Sequence, residues 1–152
     1  SNAILNTMQT PHNPSQASVF EHPIRVYWED TDAGGIVFYA NYLKFFEDAR
    51  EQFGRDFGIE YLDVHAKGYF IPIVKSEISH KSSIFYGETA QVNIILEKHD
   101  SAKIVFRYQV INNATNQVAA TGMTMQVFMF ASDRTLELIK PEFYQLWEDL
   151  QN

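Results

Sequence analysis

The sequence predicts a single domain of the α+β class, in which an antiparallel sheet packs against one central helix. Three observations predict this class: a short β-rich run near residue 24, a long aromatic amphipathic helix that follows it, and four β-rich segments at the spacing of a meander. The chain of 152 residues has the usual length of one domain, and it can bury a core without disulfides or metals.

The two ends of the chain differ in character. Residues 1–20 contain no charged side chain but carry Pro11 and Pro14, so we expect a loose arm there. Its first residues, Ser-Asn-Ala, resemble the remnant of a cleaved affinity tag. We expect residues 21–152 to form the single domain. Pro141 and the alternating acidic and apolar residues after it predict a short C-terminal helix.

The first strand and the central helix are predicted from different sequence patterns. Ile24–Trp28 is rich in β-formers and ends in a polar cluster at residues 29–35. The helix that follows is predicted from an apolar stripe at helical spacing, formed by Tyr42, Phe45, Phe46, Ala49 and Phe53. Gly58 fits a left-handed C-terminal cap, and Tyr61–Ala66 predicts a second, shorter helix.

Four further strands complete the predicted sheet. They are Phe70–His80, in which Pro72 indicates an edge or a strand start, then Val92–Leu96, Ile104–Val110 and Val118–Phe130. Turns rich in Gly, Asn, Asp and Ser separate them.

Composition excludes several classes of function. The absence of cysteine excludes a Cys nucleophile and a thiolate zinc site, and the five histidines form no ligand pair, so we expect no metal and no cofactor. The net charge of −7 argues against nucleic-acid binding, and no apolar stretch has the length of a membrane span. We therefore expect a soluble, cytoplasmic domain.

The segment of residues 29–42 can carry chemistry. Gly34 and Gly35 would let the backbone approach a ligand closely, and the helix that follows would present free amides near Tyr39 and Ala40. A carboxylate ahead of such donors supplies what acyl transfer needs, namely a nucleophile or general base and an oxyanion donor. The alternative is a plain capped turn without chemistry.

The same residues carry a resemblance to a known family. The run Tyr27–Val37, the pair Asn41–Tyr42 and the aromatic helix resemble the signature of hotdog-fold acyl-CoA thioesterases. The similarity is greatest to the 4-hydroxybenzoyl-CoA thioesterase type and its Tol–Pal-associated relatives. The resemblance implies a curved, antiparallel five-stranded sheet wrapped around a long helix. It also implies a homodimer paired edge to edge, or a homotetramer.

The resemblance assigns roles to individual residues. Asp32 matches the family's catalytic carboxylate, and Tyr39 matches the residue whose backbone N–H polarises the thioester carbonyl. The glycine turn and the apolar residues after it are expected to bind substrate: Gly34, Gly35, Ile36 and Val37. Asp30 is expected to be a structural cap. Glu47 and Glu51 are expected to be solvated helix residues, although another hotdog branch uses a helical carboxylate.

Two departures from the family concern substrate recognition. Tol–Pal-associated relatives often carry His where this chain has Tyr39, a change that leaves a backbone N–H role intact. A basic residue that relatives often carry after the second strand is absent from Ser83–Glu88. Lysines near strand ends are the candidates to bind anionic CoA, or they are ordinary surface charges: Lys81, Lys98 and Lys103, with Arg107 on a strand.

The expected function is hydrolysis of an acyl-CoA thioester to a free acid and CoA, by a homo-oligomer. One alternative is a thioesterase that acts on acyl carrier protein, and another is a hotdog module that binds acyl thioesters without cleaving them. The acyl group is not defined by these residues, because aromatic side chains suit an aryl pocket and ordinary core packing equally.

Overall fold

The computed structural model describes residues 19–151, and its elements confirm the predicted α+β class. The helices are α1 (Asn41–Phe57), α2 (Tyr61–Ala66) and α3 (Glu142–Leu150). The strands are β1 (Phe20–Arg25), β2 (Tyr69–Phe70), β3 (Ile73–His80), β4 (Thr89–Glu97), β5 (Lys103–Asn112), β6 (Gln117–Val127) and β7 (Met129–Phe130). Five strands form an antiparallel sheet in the order β1-β4-β5-β6-β3, and β2 pairs with β7 in a separate ribbon.

Helix α1 lies against one face of the five-stranded sheet, as the apolar stripe predicts. Phe45, Phe46 and Ala49 are at most 1% exposed. The Phe46 ring stacks on Tyr108 of β5 at 4.2 Å and 13°. The residue of β6 beneath this ring is Gly122, where any side chain would collide with Phe46. The core therefore forms by close approach of the helix to the middle of the sheet.

The ends of the helices follow their sequence signals. Helix α1 stops at Gly58, which adopts φ 72° and ψ 31° and donates its N–H to Gly54 O. This confirms the predicted left-handed cap. Helix α2 occupies the predicted residues, and Asp63 Oδ2 accepts the N–H of Glu60 at its start.

The first strand lies earlier in the chain than predicted. It covers Phe20–Arg25, whereas residues 28–30 form a 3-10 turn, so the prediction of a strand over Ile24–Trp28 is wrong at its end. The reason is that Asp30 accepts the N–H of Tyr27 and turns the chain. Phe20, assigned to the arm, is the first residue of β1 and packs on Phe53. The rest of the expected arm, residues 1–18, lies outside the described residues.

Two predicted strands are interrupted. Residues 71 and 72 separate β2 from β3, because Pro72 has no N–H for a ladder; its carbonyl instead accepts Val127 N–H. Phe128 separates β6 from β7, since its carbonyl accepts the N–H of Glu137 and its buried ring contacts Tyr144.

Helix α3 confirms the predicted C-terminal helix and is fixed to the body by polar contacts. Lys140 Nζ lies 2.8 Å from Glu148 Oε1, with both side chains at most 6% exposed, and it also donates to His99 O. Trp147 Nε1 donates to Phe57 O at 2.7 Å, which joins α3 to the end of α1.

Candidate active site

The loop between β1 and α1 is a tight hairpin that carries Asp32. Thr31 and Val37 form an antiparallel bridge, and the N–H of Asp32 donates to Ile36 O at 2.9 Å. Gly35 N–H donates to Asp32 O at 3.0 Å, and Gly35 adopts φ 77°, a conformation that other residues rarely adopt. The hairpin thus holds the backbone of Asp32 in a fixed position.

The carboxylate of Asp32 is exposed and only partly engaged. Its Oδ1 accepts the N–H of Gly34 at 2.8 Å, and Asp32 Oδ2 makes no hydrogen bond to residues 19–151. A Cβ at Gly34 would lie 3.2 Å from Oδ1, closer than ordinary contact. Glycine at position 34 therefore leaves room for the carboxylate and supplies the amide that orients it. One oxygen stays available to a substrate or a water molecule.

A second segment of chain pins this hairpin from the outside. Ile36 forms a bridge with Phe85, Val37 N–H donates to Ile84 O at 2.8 Å, and Tyr86 N–H donates to Gly35 O at 2.8 Å. Ile36 and Val37, expected to bind substrate, have these backbone roles in the structure, and the Val37 side chain is buried.

Asp30 behaves as the expected structural cap. It is 2% exposed, its Oδ2 accepts Tyr27 N–H at 2.9 Å, and its Oδ1 lies 3.2 Å from Lys44 Nζ. The hydrogen bond to Asp30 raises the pKa of Lys44 above its ordinary value. The carbonyl of Asp30 accepts from Phe38 N–H and from Asn41 Nδ2, so this residue ties the loop to the start of α1.

The start of α1 presents free backbone donors. Ala40 is the N-cap residue and provides no side-chain cap. Within residues 19–151, neither Tyr39 N–H nor Ala40 N–H has a hydrogen-bond acceptor. These amides lie at the positive end of the helix dipole, where they can bind a developing negative charge.

Exposed aromatic rings surround the loop, and sequence reasoning did not identify this rim. Trp28 and Tyr86 meet edge to face at 5.3 Å, and the Tyr39 ring is 64% exposed. His80, at the end of β3, contacts Tyr39 at 6.3 Å and Tyr42 at 5.2 Å between ring centroids. The signal available in the sequence was the density of aromatic residues on both sides of the acidic motif.

The expected lysines are not together. Lys81 directly follows His80 and lies at the end of the sheet that carries the hairpin. Lys98 and Lys103 flank the β4–β5 turn, at the opposite end. From Ala90 to Glu97 the sheet extends about 23 Å at about 3.3 Å per residue. Of these three lysines, only Lys81 lies at the hairpin end of the sheet, and CoA binding by Lys81, Lys98 and Lys103 stays a prediction. Arg107 forms an ion pair with Glu97 at 2.7 Å.

Residues 19–151 contain neither a metal-binding cluster nor a membrane-spanning helix. No group of three His, Asp or Glu side chains in this part of the chain is arranged to hold a metal ion. No helix in it is long and apolar enough to cross a membrane.

Comparison with known proteins places this loop and helix in a family. A model of the Thioesterase-like superfamily matches residues 26–146. YneP of Bacillus subtilis (strain 168), a provisionally assigned acyl-CoA thioesterase, is 38% identical over 96 residues, which are 63% of this chain and 70% of YneP. The acyl-CoA thioester hydrolase YbgC of Escherichia coli O157:H7 is 26% identical over 95 residues, which are 62% of this chain and 71% of YbgC.

A solved structure shows the same architecture. The DHNA-CoA thioesterase of Staphylococcus aureus superposes with a TM-score of 0.77 at 24% identity, over 88% of this chain and 91% of that chain. The family match covers the Asp32 hairpin, α1 and every later strand. The chain therefore has the hotdog fold and belongs to the Thioesterase-like superfamily.

Proposed function

We propose that this protein hydrolyses an acyl-CoA thioester to a free acid and CoA, with Asp32 as the catalytic carboxylate and the amide of Tyr39 as the oxyanion donor. One observation carries the proposal: a carboxylate with a free oxygen and two unused backbone amides at the start of α1 lie within nine residues of one another. Family membership and the activities named for YneP and YbgC support the same reaction.

The chemistry follows from the two partners. The thioester carbonyl oxygen accepts the N–H of Tyr39, which stabilises the negative charge that develops on this oxygen during attack. Asp32 either attacks the carbonyl carbon or removes a proton from a water molecule that attacks it. In both routes the carbon–sulfur bond breaks and CoA leaves as the thiolate. In the first route water then hydrolyses the mixed anhydride.

The two routes differ in the fate of the water oxygen. A single turnover in ¹⁸O-labelled water places the label in the acid product if Asp32 activates water. Attack by Asp32, followed by attack of water on the Asp32 carboxyl carbon of the anhydride, places an unlabelled oxygen in the first product molecule and the label in Asp32. Attack of water on the acyl carbon, in the thioester or in the anhydride, gives labelled acid. Mass spectrometry of the product acid and of the peptide that contains Asp32 therefore identifies the nucleophilic route when the label enters Asp32.

The matched test of the site uses the two acids of the loop. Asp32→Asn is expected to retain the hairpin, since Asn Oδ1 can accept Gly34 N–H, and to lower kcat by roughly 10²-fold or more. Asp30→Asn keeps an acceptor for Tyr27 N–H and is expected to affect kcat far less. Thiol release from a panel of acyl-CoA esters measures both. Equal turnover of wild type and Asp32→Asn would refute the assignment.

The same panel separates the alternative functions. Thioesters of acyl carrier protein test carrier specificity, which would appear as hydrolysis of these thioesters alone. Tight binding of acyl-CoA by a folded protein that releases no thiol would indicate a binding module.

The proposed assembly is a homodimer joined along β3, with a homotetramer as the larger form. β1 and β3 are the edges of the sheet. β1 carries Pro23, which has no N–H to donate to another strand, whereas β3 exposes Ile73 and Val74, which are 44% and 57% exposed. Light scattering on wild type and Val74→Pro tests this edge: the variant is expected to dissociate, and an unchanged mass would contradict the proposal.

A further inference from the structure

A cavity of about 450 Å³ lies beyond the candidate active site, beside the second half of α1. One wall is the face of α1 that contains Glu47, Arg50 and Gly54. The other walls come from α2, from the helix-facing side of β5 and from α3. This volume lies within the range of sites that bind small molecules.

The lining of the cavity is mixed: its α1 wall carries charged residues, whereas the walls from β5 and α3 are apolar and aromatic. Phe106 of β5 is buried, and Tyr144 and Trp147 of α3 close the far wall. The tyrosine and tryptophan rings stack at 5.4 Å, and Trp147 is held by its bond to Phe57 O. The walls from β5 and α3 therefore favour an apolar ligand.

Helix α1 connects the cavity with the oxyanion donor. Leu43, Glu47, Arg50 and Gly54 follow one another at intervals of four, three and four residues, so they share a face of the helix. Tyr39 lies four residues before Leu43, and Leu43 is 42% exposed. Glu47, at the near rim, is six residues beyond Asn41, or about 9 Å along the helix at about 1.5 Å per residue.

The distance between the Tyr39 amide and the cavity determines which acyl groups can reach the cavity. An acetyl or benzoyl group whose carbonyl is bound at the Tyr39 amide ends before the cavity begins. A dodecanoyl or palmitoyl group can extend along the face of α1 and place its distal methylenes among the aromatic side chains.

We infer that this cavity binds the distal end of a long, apolar acyl chain, so that the enzyme selects medium- to long-chain acyl-CoA esters. The inference rests on the proposed function, because it assumes that the thioester carbonyl lies at Tyr39. It adds a specificity site formed by α2 and α3, which are distant in sequence from the catalytic loop.

The first test alters the exposed wall of the cavity. Tyr61 and Leu62 of α2 line it and are 54% and 72% exposed, so Tyr61→Ser/Leu62→Ser is expected to fold. In the double variant kcat/KM for palmitoyl-CoA is expected to fall about tenfold, the effect of losing burial of one apolar side chain, with acetyl-CoA changing less than twofold. Leu138→Ser is the matched control, because Leu138 is 77% exposed and lies outside the cavity.

The second test measures binding without turnover. The chain has two tryptophans, Trp28 and Trp147, so Asp32→Asn/Trp28→Phe leaves Trp147 as the only tryptophan emitter. Palmitoyl-CoA is expected to change its emission with saturation, and acetyl-CoA at the same concentration is expected to leave it unchanged.

The outcomes separate this inference from the proposed function. Asp32-dependent hydrolysis with no chain-length preference and no response of Trp147 would overturn the inference and leave the function intact. This result is also expected if side chains of a second protomer fill the cavity. A saturable Trp147 response to palmitoyl-CoA in a protein that hydrolyses no thioester would support the cavity and overturn the function.

Discussion

Replacement of Gly122 by alanine tests how closely α1 approaches the sheet. A Cβ at Gly122 would lie 2.4 Å from Cε2 and 2.6 Å from Cζ of Phe46, and 2.8 Å from the backbone oxygen of Glu77. The Phe46 ring is held in place by its stacking on Tyr108 at 4.2 Å. Glu77 O belongs to the neighbouring strand β3, which the ladder with β6 holds in place.

The size of the effect follows from these contacts. Overpacking of a filled core costs about 1–3 kcal/mol, and Gly122→Ala is expected near the upper end, at about 3 kcal/mol, because a ring and a backbone atom both obstruct the methyl group. Leucine in place of Phe46 lacks the Cε2 and Cζ atoms. In a Phe46→Leu background, Gly122→Ala is therefore expected to cost only about 1 kcal/mol, from the contact with Glu77 O.

The assay is urea unfolding followed by circular dichroism, for the four proteins of this double-mutant cycle at one protomer concentration. A coupling of about 2 kcal/mol between positions 46 and 122 is the expected result. Equal losses in the two backgrounds would refute the reasoning, as would a loss below about 0.5 kcal/mol for Gly122→Ala in the wild-type background.

Three further predictions concern stability. Lys140→Met leaves the buried carboxylate of Glu148 without its cation and is expected to cost about 3–5 kcal/mol in urea unfolding, whereas Lys140→Met/Glu148→Leu should recover most of the loss. Burial lowers the pKa of His99, so the unfolded chain binds more protons than the folded one. The free energy of unfolding in urea is therefore expected to fall as the pH drops through about 6.5, and to fall less in His99→Gln. Burial raises the pKa of Tyr144, so the unfolded chain ionises first above about pH 10; Tyr144→Phe should reduce the alkaline loss of stability seen in pH-dependent melting.

The sequence predicted the helices well because their signals are local. The apolar stripe of α1 and the left-handed Gly58 occur within one continuous segment, and both have the predicted structure. The first strand was misplaced because Asp30 captures Tyr27 N–H, a contact between a side chain and the backbone that competes with the β-propensity of the run.

The site was predictable only where its parts are adjacent in the chain. Asp32, its glycines and the helix amides lie within nine residues of one another, so their proximity could be inferred. Lys98 and Lys103 fall near strand ends, but the sequence alone does not indicate which end of the sheet carries the hairpin. The contact of His80 with Tyr39 joins residues 41 positions apart, and the packing of the start of α1 against the end of β3 brings them together.

The contacts that residues 84–86 make with the Asp32 hairpin consist entirely of backbone atoms. The carbonyl of Ile84 and the amide of Tyr86 hold Val37 and Gly35, while the side chains of Phe85 and Tyr86 are more than half exposed. The position of Asp32 therefore does not depend on which side chains occupy positions 85 and 86. Substitutions at these two positions can therefore change the exposed surface beside the hairpin while the Asp32 carboxylate stays in place.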